Sequence, residues 1–283
     1  MSMEKRICLI TGANSGIGLE TAKSLAHKGA TIIMVCRSGE KGRLAQAKIK
    51  AHANHDRVDL FLADVSSKEQ LQNTTNQFKE KYQKLDVLIN NAGLQLPKRY
   101  VTKEGWEMMF ATNHLGYFMT ASLLADVLKQ TPNARIVNVA SIGHWMGTID
   151  FENLQCEQNF NSLRQYCNTK LANILFTRVL AERTKSFDIT TNCLHPGAIS
   201  SGFGQDEKSW FATLMKLGAP FLLSPRNGAR TSIFLASSER VGKLNGKYFA
   251  RSKPALCSRA SKNMDTAQKL WDKSVEMTGL DWN

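Results

Sequence analysis

Lys5-Arg-Ile-Cys-Leu-Ile-Thr-Gly-Ala-Asn-Ser-Gly-Ile-Gly18 decides the fold of this chain. Its apolar first half reads as a buried strand, and Thr11-Gly12 marks the turn that ends it. Residues 16–29 then carry Ile17, Leu19, Ala22, Leu25 and Ala26 at helical spacing. Gly12, Gly16 and Gly18 fall in the connection and the first helical turn, where the missing Cβ lets backbone approach backbone and ligand closely. A helix start offers free N–H groups and the positive dipole end to a pyrophosphate. Asn14, Ser15 and Ile17 lie in the same loop. The spacing is G-x-x-x-G-x-G rather than the standard G-x-G-x-x-G. Taken alone, the cluster also fits a plain strand–helix turn.

Further apolar runs alternate with helical patterns. They are Thr31–Cys36, Val58–Ala63, Leu85–Ile89, Arg135–Val139 and Ile189–Leu194. This alternation predicts an α/β fold, a doubly wound parallel sheet of Rossmann type with helices on both faces. At 283 residues the chain can bury one sizeable core. It shows no linker, repeat or low-complexity tract, so a single domain over 1–283 is expected.

Arg37 follows the second run directly. In doubly wound folds that strand ends beside the adenine ribose, where an acid pairs with a 2′-hydroxyl and an arginine accommodates a 2′-phosphate. No acid stands there, which predicts NADP(H) over NAD(H), with Ser38 and Lys41 assisting. The competing reading of Arg37 is a solvated loop residue. Asp64 closes the third run and is expected either near the adenine, beside Val65, or as the helix cap before Ser66 and Ser67.

Tyr166-Cys-Asn-Thr-Lys170 places a phenol and an ammonium at i and i+4 on one helix face. An isolated tyrosine is a poor acid or base near neutral pH, and a neighbouring cation is expected to lower its pKa. That suits general acid–base work. Ser141 ends a buried strand, so its hydroxyl can reach a cleft at the carboxyl edge of the sheet and stabilise charge on a substrate oxygen. Singly, each residue has an ordinary reading: a half-buried aromatic, a solvated lysine, a turn-forming serine. Together, behind a dinucleotide loop, they point to hydride transfer between a nicotinamide and a carbonyl or alcohol.

These motifs resemble the short-chain dehydrogenase/reductase family: the loop at 11–18, Asn90-Asn-Ala-Gly93, Asn113, Ser141, Tyr166, Lys170 and Pro196-Gly197. Asn113-His-Leu-Gly-Tyr-Phe118, Tyr166–Asn173 and Cys193-Leu-His-Pro-Gly197 are similar to its retinol dehydrogenase branch. The resemblance spans essentially the whole chain. It implies that Lys170 also bonds the nicotinamide ribose, and that Asn113, in a helix predicted over about 104–129, holds a water linking Lys170 to solvent. Asn91, Ala92 and Gly93 support the nicotinamide side. Pro196, Gly197, Ile199 and Ser201 shape its far wall. Residues 199–225, rich in aromatic and aliphatic side chains, are the implied lid over a lipophilic substrate such as retinal or retinol; an amphipathic helix packed on the core explains that spacing almost as well. Trp145 and Met146 are candidate pocket residues. The sequence departs from the family at Ala140, where this branch often has a second serine, and at Ser201, where a threonine is common.

Composition narrows the alternatives. A formal net charge of +13 raises the question of nucleic acid. The cations are interleaved with acids and form no basic run, so no nucleic-acid partner is expected. No run approaches the roughly 18 apolar residues of a membrane span. Met1 to Arg6 leads straight into the first strand, so neither a leader nor an anchor is expected, and a cytoplasmic location follows as an expectation. The six cysteines are scattered without C-x-x-C pairs and no H-E-x-x-H occurs, which predicts no metal site. The alternative from another class is a non-catalytic NADP(H) sensor on the same fold. Oligomeric state stays open: the resemblance implies dimers or tetramers through long helices, but the sequence shows no interface.

Overall fold

A computed structural model of the chain describes residues 3–197 and 224–282. Its centre is a sheet of eight strands: β1 (Ile7–Thr11), β2 (Thr31–Cys36), β3 (Val58–Leu62), β4 (Val87–Asn90), β5 (Arg135–Val139), β6 (Thr190–His195), β7 (Tyr248–Ala250) and β8 (Lys253–Pro254). The order is β3-β2-β1-β4-β5-β6-β7-β8. All neighbours are parallel except β7 and β8. The chain winds outward from β1 to β3, then crosses back to β4 on the other side of β1. That reversal opens a crevice at the carboxyl ends of β1 and β4, the usual ligand position in open α/β sheets.

Strand side chains alternate between two cores. Cys8, Ile10, Ile32, Met34, Val87, Ile89, Val137 and Leu194 face one of them. There α1 (Gly16–His27), α2 (Gly39–Ala53) and α8 (Pro225–Ser237) cover the sheet. Leu9, Ile33, Val35, Leu88 and Ile136 face the other. It is covered by α3 (Lys68–Lys81), a broken helical run from Met108 to Gln130, α7 (Ser162–Thr184) and α9 (Met264–Thr278). Strands covered on both faces are apolar throughout, which is why the sequence shows unbroken apolar runs. No helix among the described residues is long and apolar enough to cross a membrane.

The helix predicted over 104–129 differs from expectation. It begins at Met108 and has four pieces: α4 (Met108–Phe110), a π turn (Ala111–Leu115), α5 (Gly116–Leu123) and α6 (Ala125–Gln130). Residues 102–106 form a turn instead, closed by Thr102 N–H to Trp106 O at 2.8 Å. The true start is set by Glu107, a fully buried N-cap whose carboxylate accepts the N–H groups of Met109 and Phe110. The π turn falls on Asn113 itself. Single π turns inside α-helices recur at functional sites.

Candidate active site

The glycine loop sits at the carboxyl end of β1. Gly12 has φ +67°, the left-handed region where a side chain is strained. Gly18 has no room for one, because a Cβ would lie 2.4 Å from Gly12 O and 2.6 Å from Asn91 Nδ2. A Cβ on Gly16, by contrast, would meet nothing within 4 Å. Ser15 is the N-cap of α1, yet its side chain makes no capping hydrogen bond. The loop is thus packed at Gly18, open at Gly16, and backed by a helix start without a side-chain cap. Asn14, Ser15 and Ile17 lie on it. This cradle fits a dinucleotide pyrophosphate.

Asn91 does more than the nicotinamide-side support expected of it. Its Nδ2 donates to Thr11 O at 2.9 Å and Gly12 O at 3.3 Å. The Thr11 hydroxyl in turn accepts the N–H groups of Asn91 and Ala92 at 2.9 and 3.0 Å. The segment Asn90–Gly93 after β4 therefore fixes the shape of the β1 loop.

At the end of β2, Arg37 is largely exposed and pairs with Asp64 at 3.5 Å. Asp64 is not the cap of α3. Its Oδ1 accepts from the Ser66 N–H and hydroxyl, and Ser67 caps the helix instead. Ser38 caps α2 by accepting the Lys41 N–H at 3.4 Å. Val65 is buried, its carbonyl packed against Gly116. Arg37, Ser38, Lys41 and Asp64 thus gather at the β2–β3 end of the crevice.

The proton-transfer candidates meet beside β5. Tyr166 and Lys170 lie one turn apart on α7, with the Lys170 ammonium 5.5 Å from the Tyr166 ring centroid. Ser141, just beyond β5, is hydrogen-bonded to the Tyr166 side chain. Lys170 is buried and donates to Val139 O at 3.3 Å. Tyr117 and Asn173 donate to the same carbonyl at 3.2 and 3.3 Å. The electrostatics differ in sign from the sequence expectation. Burial pushes the half-buried Tyr166 phenol up to about 12, and the Ser141 bond works against that shift. Burial pushes Lys170 down to about 8. Among the protein's own groups, losing water outweighs the Ser141 hydrogen bond to the phenol.

Asn113 is fully buried, and its side chain is committed. Oδ1 accepts from Leu94 N–H at 2.8 Å, while Nδ2 donates to Leu94 O at 2.9 Å and Thr169 Oγ1 at 3.0 Å. Thr169 donates onward to Tyr166 O at 2.7 Å. Both side-chain donors are spent inside the protein, so a water held by Asn113 would bond to an oxygen of this residue. What Asn113 visibly does is tie the π turn to α7.

Sequence reasoning passed over Thr169, Glu107, Tyr117 and His144. Thr169 lies inside the quoted Tyr166–Lys170 motif. Glu107 could have been noticed as an acid before an apolar helical run. Gln165, next to Tyr166, donates to Glu107 at 2.8 Å, so the helices carrying Asn113 and Tyr166 are joined there. On the site's outer rim, Trp145 and Met146 are 53% and 62% exposed. Beyond β6, Gly197 has φ +96° and donates its N–H to His195 Nδ1 at 3.0 Å, which turns the chain after Pro196. Ile199, Ser201 and the expected lid up to Leu223 lie outside the described residues. Among those described, no group of acids, histidines and cysteines is placed to hold a metal.

A family profile described as short chain dehydrogenase matches residues 6–211. The chain belongs to the short-chain dehydrogenase/reductase family. Within this family of NAD(P)(H)-dependent oxidoreductases it is retinol dehydrogenase-like. It is 38% identical over 277 residues to human retinol dehydrogenase 12, covering 98% of this chain and 87% of that protein. It is 35% identical over 279 residues to human retinol dehydrogenase 13, covering 96% and 84%. An uncharacterised protein from Mycobacterium paratuberculosis superposes with a TM-score of 0.81 at 29% identity, covering 100% of this chain and 96% of that one. An L-sorbose reductase from Gluconobacter frateurii, solved with NADPH and L-sorbose, shares the fold with a TM-score of 0.70 at 23% identity, covering 88% and 95%.

Proposed function

We propose that this chain transfers a hydride between NADP(H) and a lipophilic aldehyde, ketone or alcohol of the retinal/retinol kind. The observation that carries this reading is the convergence of Ser141, Tyr166 and Lys170 beside a glycine loop that fits a dinucleotide. The identity to retinol dehydrogenases, maintained over nearly the whole chain, supports the substrate class.

Gly12, Gly16 and Gly18, with the first turn of α1, would hold the pyrophosphate. Arg37 would take the ribose 2′-phosphate, exchanging its weak exposed pair with Asp64 for a doubly charged partner. Lys170 would leave the Val139 carbonyl for the ribose next to the nicotinamide. When bound, the cofactor supplies or accepts the hydride. In the reductive direction Ser141 donates a hydrogen bond to the substrate carbonyl oxygen, and Tyr166 gives that oxygen its proton. In the oxidative direction Tyr166 takes the proton back. A phenol kept protonated by burial is ready to act as an acid, and an ammonium brought beside it lowers the barrier to giving the proton up.

NADPH oxidation with all-trans-retinal tests this reading, with NADH alongside. The expected result is turnover with clear preference for NADPH, and a preference shifted toward NADH in Arg37→Asp. An unchanged cofactor ratio in that variant would remove Arg37 from the specificity site. A bound NADPH that reduces no aldehyde or ketone would overturn the catalytic reading.

A further inference from the structure

We infer that His144 is a positioning residue for the reaction, its Nδ1 proton holding the carbonyl of the Ser141 turn while the Ser258 N–H fixes the ring tautomer. The inference rests on the assignment of Ser141 and Tyr166 above and names what keeps Ser141 aimed.

His144 is fully buried. Its Nδ1 lies 2.7 Å from Ser141 O, and its Nε2 accepts the Ser258 N–H at 3.2 Å. A carbonyl can only accept and a peptide N–H can only donate. The two partners therefore leave one arrangement, a neutral ring with its proton on Nδ1. Both ring nitrogens are used, which is the condition for burying a polar ring at low cost.

The consequence falls on Ser141. Its carbonyl takes the imidazole N–H and also the His144 backbone N–H at 3.3 Å, while its hydroxyl oxygen accepts the Gly143 N–H at 3.1 Å. These bonds close the 3₁₀ turn Ile142–Met146 onto Ser141 and fix the direction of the hydroxyl that meets Tyr166. The turn also seats tightly on α7: a Cβ on Gly143 would approach Cys167 Sγ to 3.2 Å. On its far side the imidazole is held by a rigid anchor. Ser258 Oγ accepts from Ser261 N–H at 3.3 Å, and Ser261 Oγ donates to Ser258 O at 2.7 Å. The Tyr248 ring, 4.9 Å away, flanks the imidazole. A misplacement of about 1 Å at a reacting group can cost roughly a hundredfold in rate, so a lock on Ser141 has leverage on turnover.

Two conservative variants separate the two ring nitrogens. Asparagine places its amide near Nδ1, so His144→Asn keeps a donor for Ser141 O and loses the acceptor for Ser258. Glutamine reaches the Nε2 position, so His144→Gln keeps the Ser258 contact and loses the donor. Steady-state kcat and KM are measured with NADPH and all-trans-retinal, NADPH affinity by fluorescence, for both variants, His144→Leu, wild type and Tyr166→Phe. The expected result is a fall in kcat of roughly tenfold to a hundredfold in His144→Gln and His144→Leu. NADPH affinity stays within about twofold, and His144→Asn recovers most of the lost kcat. Equal kcat in the Asn and Gln variants, or a loss confined to NADPH affinity, would overturn the inference while an inert Tyr166→Phe leaves the underlying reading standing. A Tyr166→Phe enzyme as active as wild type would overturn both.

Discussion

At the scale of single residues, Lys170 carries the charge that matters most. It is buried, and its folded pKa of about 8 lies below the ordinary value of 10.5. Between those values the unfolded chain binds more protons than the folded one, so this group's contribution to stability rises with pH. Below about 8 both states carry the proton and the full penalty of burying it is present. Wild type should therefore gain about 2 kcal/mol relative to Lys170→Met between pH 8 and pH 10, read from urea unfolding. The thiols of Cys8, Cys36 and Cys193, raised by burial, pull stability the other way above their ordinary range, equally in both proteins. A difference that stays flat across this window would show that Lys170 is solvated in the folded protein. The same burial explains why spacing alone gave the wrong sign at Tyr166. Positions i and i+4 identify the partner, but the balance between desolvation and attraction depends on walls contributed by distant segments.

Elements set the positions of these groups, and much of that was legible. The apolar runs gave six of the strands because a sheet covered on both faces leaves no polar alternation to confuse them. The short strands β7 and β8 carry too few residues to stand out by pattern. The helix at Asn113 was misjudged at its start, since periodicity continues through residues 104–107 while the actual boundary is made by a buried carboxylate. Its π turn has no sequence signature, because it arises from packing against Leu94 and Thr169. His144 was illegible for a similar reason: one partner is three residues away, the other 114. Gly18, by contrast, was readable and has a sharp consequence. With Gly12 O only 2.4 Å from a Cβ at that position, Gly18→Ala must push α1 away from the loop. NADPH affinity should fall by at least about tenfold, the effect of roughly 1.4 kcal/mol lost at the pyrophosphate cradle. Calorimetric binding unchanged from wild type would mean that the loop is not where the dinucleotide sits.

For the whole molecule, the C-terminal helix α9 completes the core on the Tyr166 side of the sheet. Trp271 is buried there between Phe118 and Phe176, with ring centroids 5.0 and 5.8 Å away, and its Nε1 donates to Asp281 at 2.9 Å. His114, beside Asn113, reaches the same helix through Ser274 at 2.9 Å. Trp271→Ala should cost about 3–5 kcal/mol of unfolding free energy, the usual range for emptying an aromatic core site. It should leave kcat near wild type below the melting transition, because the residue touches no group of the proton-transfer set. Melting temperatures and kcat measured on one preparation check both halves. A stable variant with depressed kcat would show that α9 shapes the site and not only the core.

In the proposed function, fold, glycine cradle and proton-transfer candidates serve one event, the passage of a hydride to a carbonyl carbon with Tyr166 supplying the proton. NADPH carrying deuterium at both positions of the nicotinamide C4 follows that event most directly. The enzyme is incubated with the labelled cofactor and all-trans-retinal, and the alcohol is analysed by mass spectrometry. The account predicts one deuterium on the former carbonyl carbon with wild type and almost no alcohol with Tyr166→Phe. Alcohol formed without the label, or labelled alcohol formed equally well by Tyr166→Phe, would contradict it.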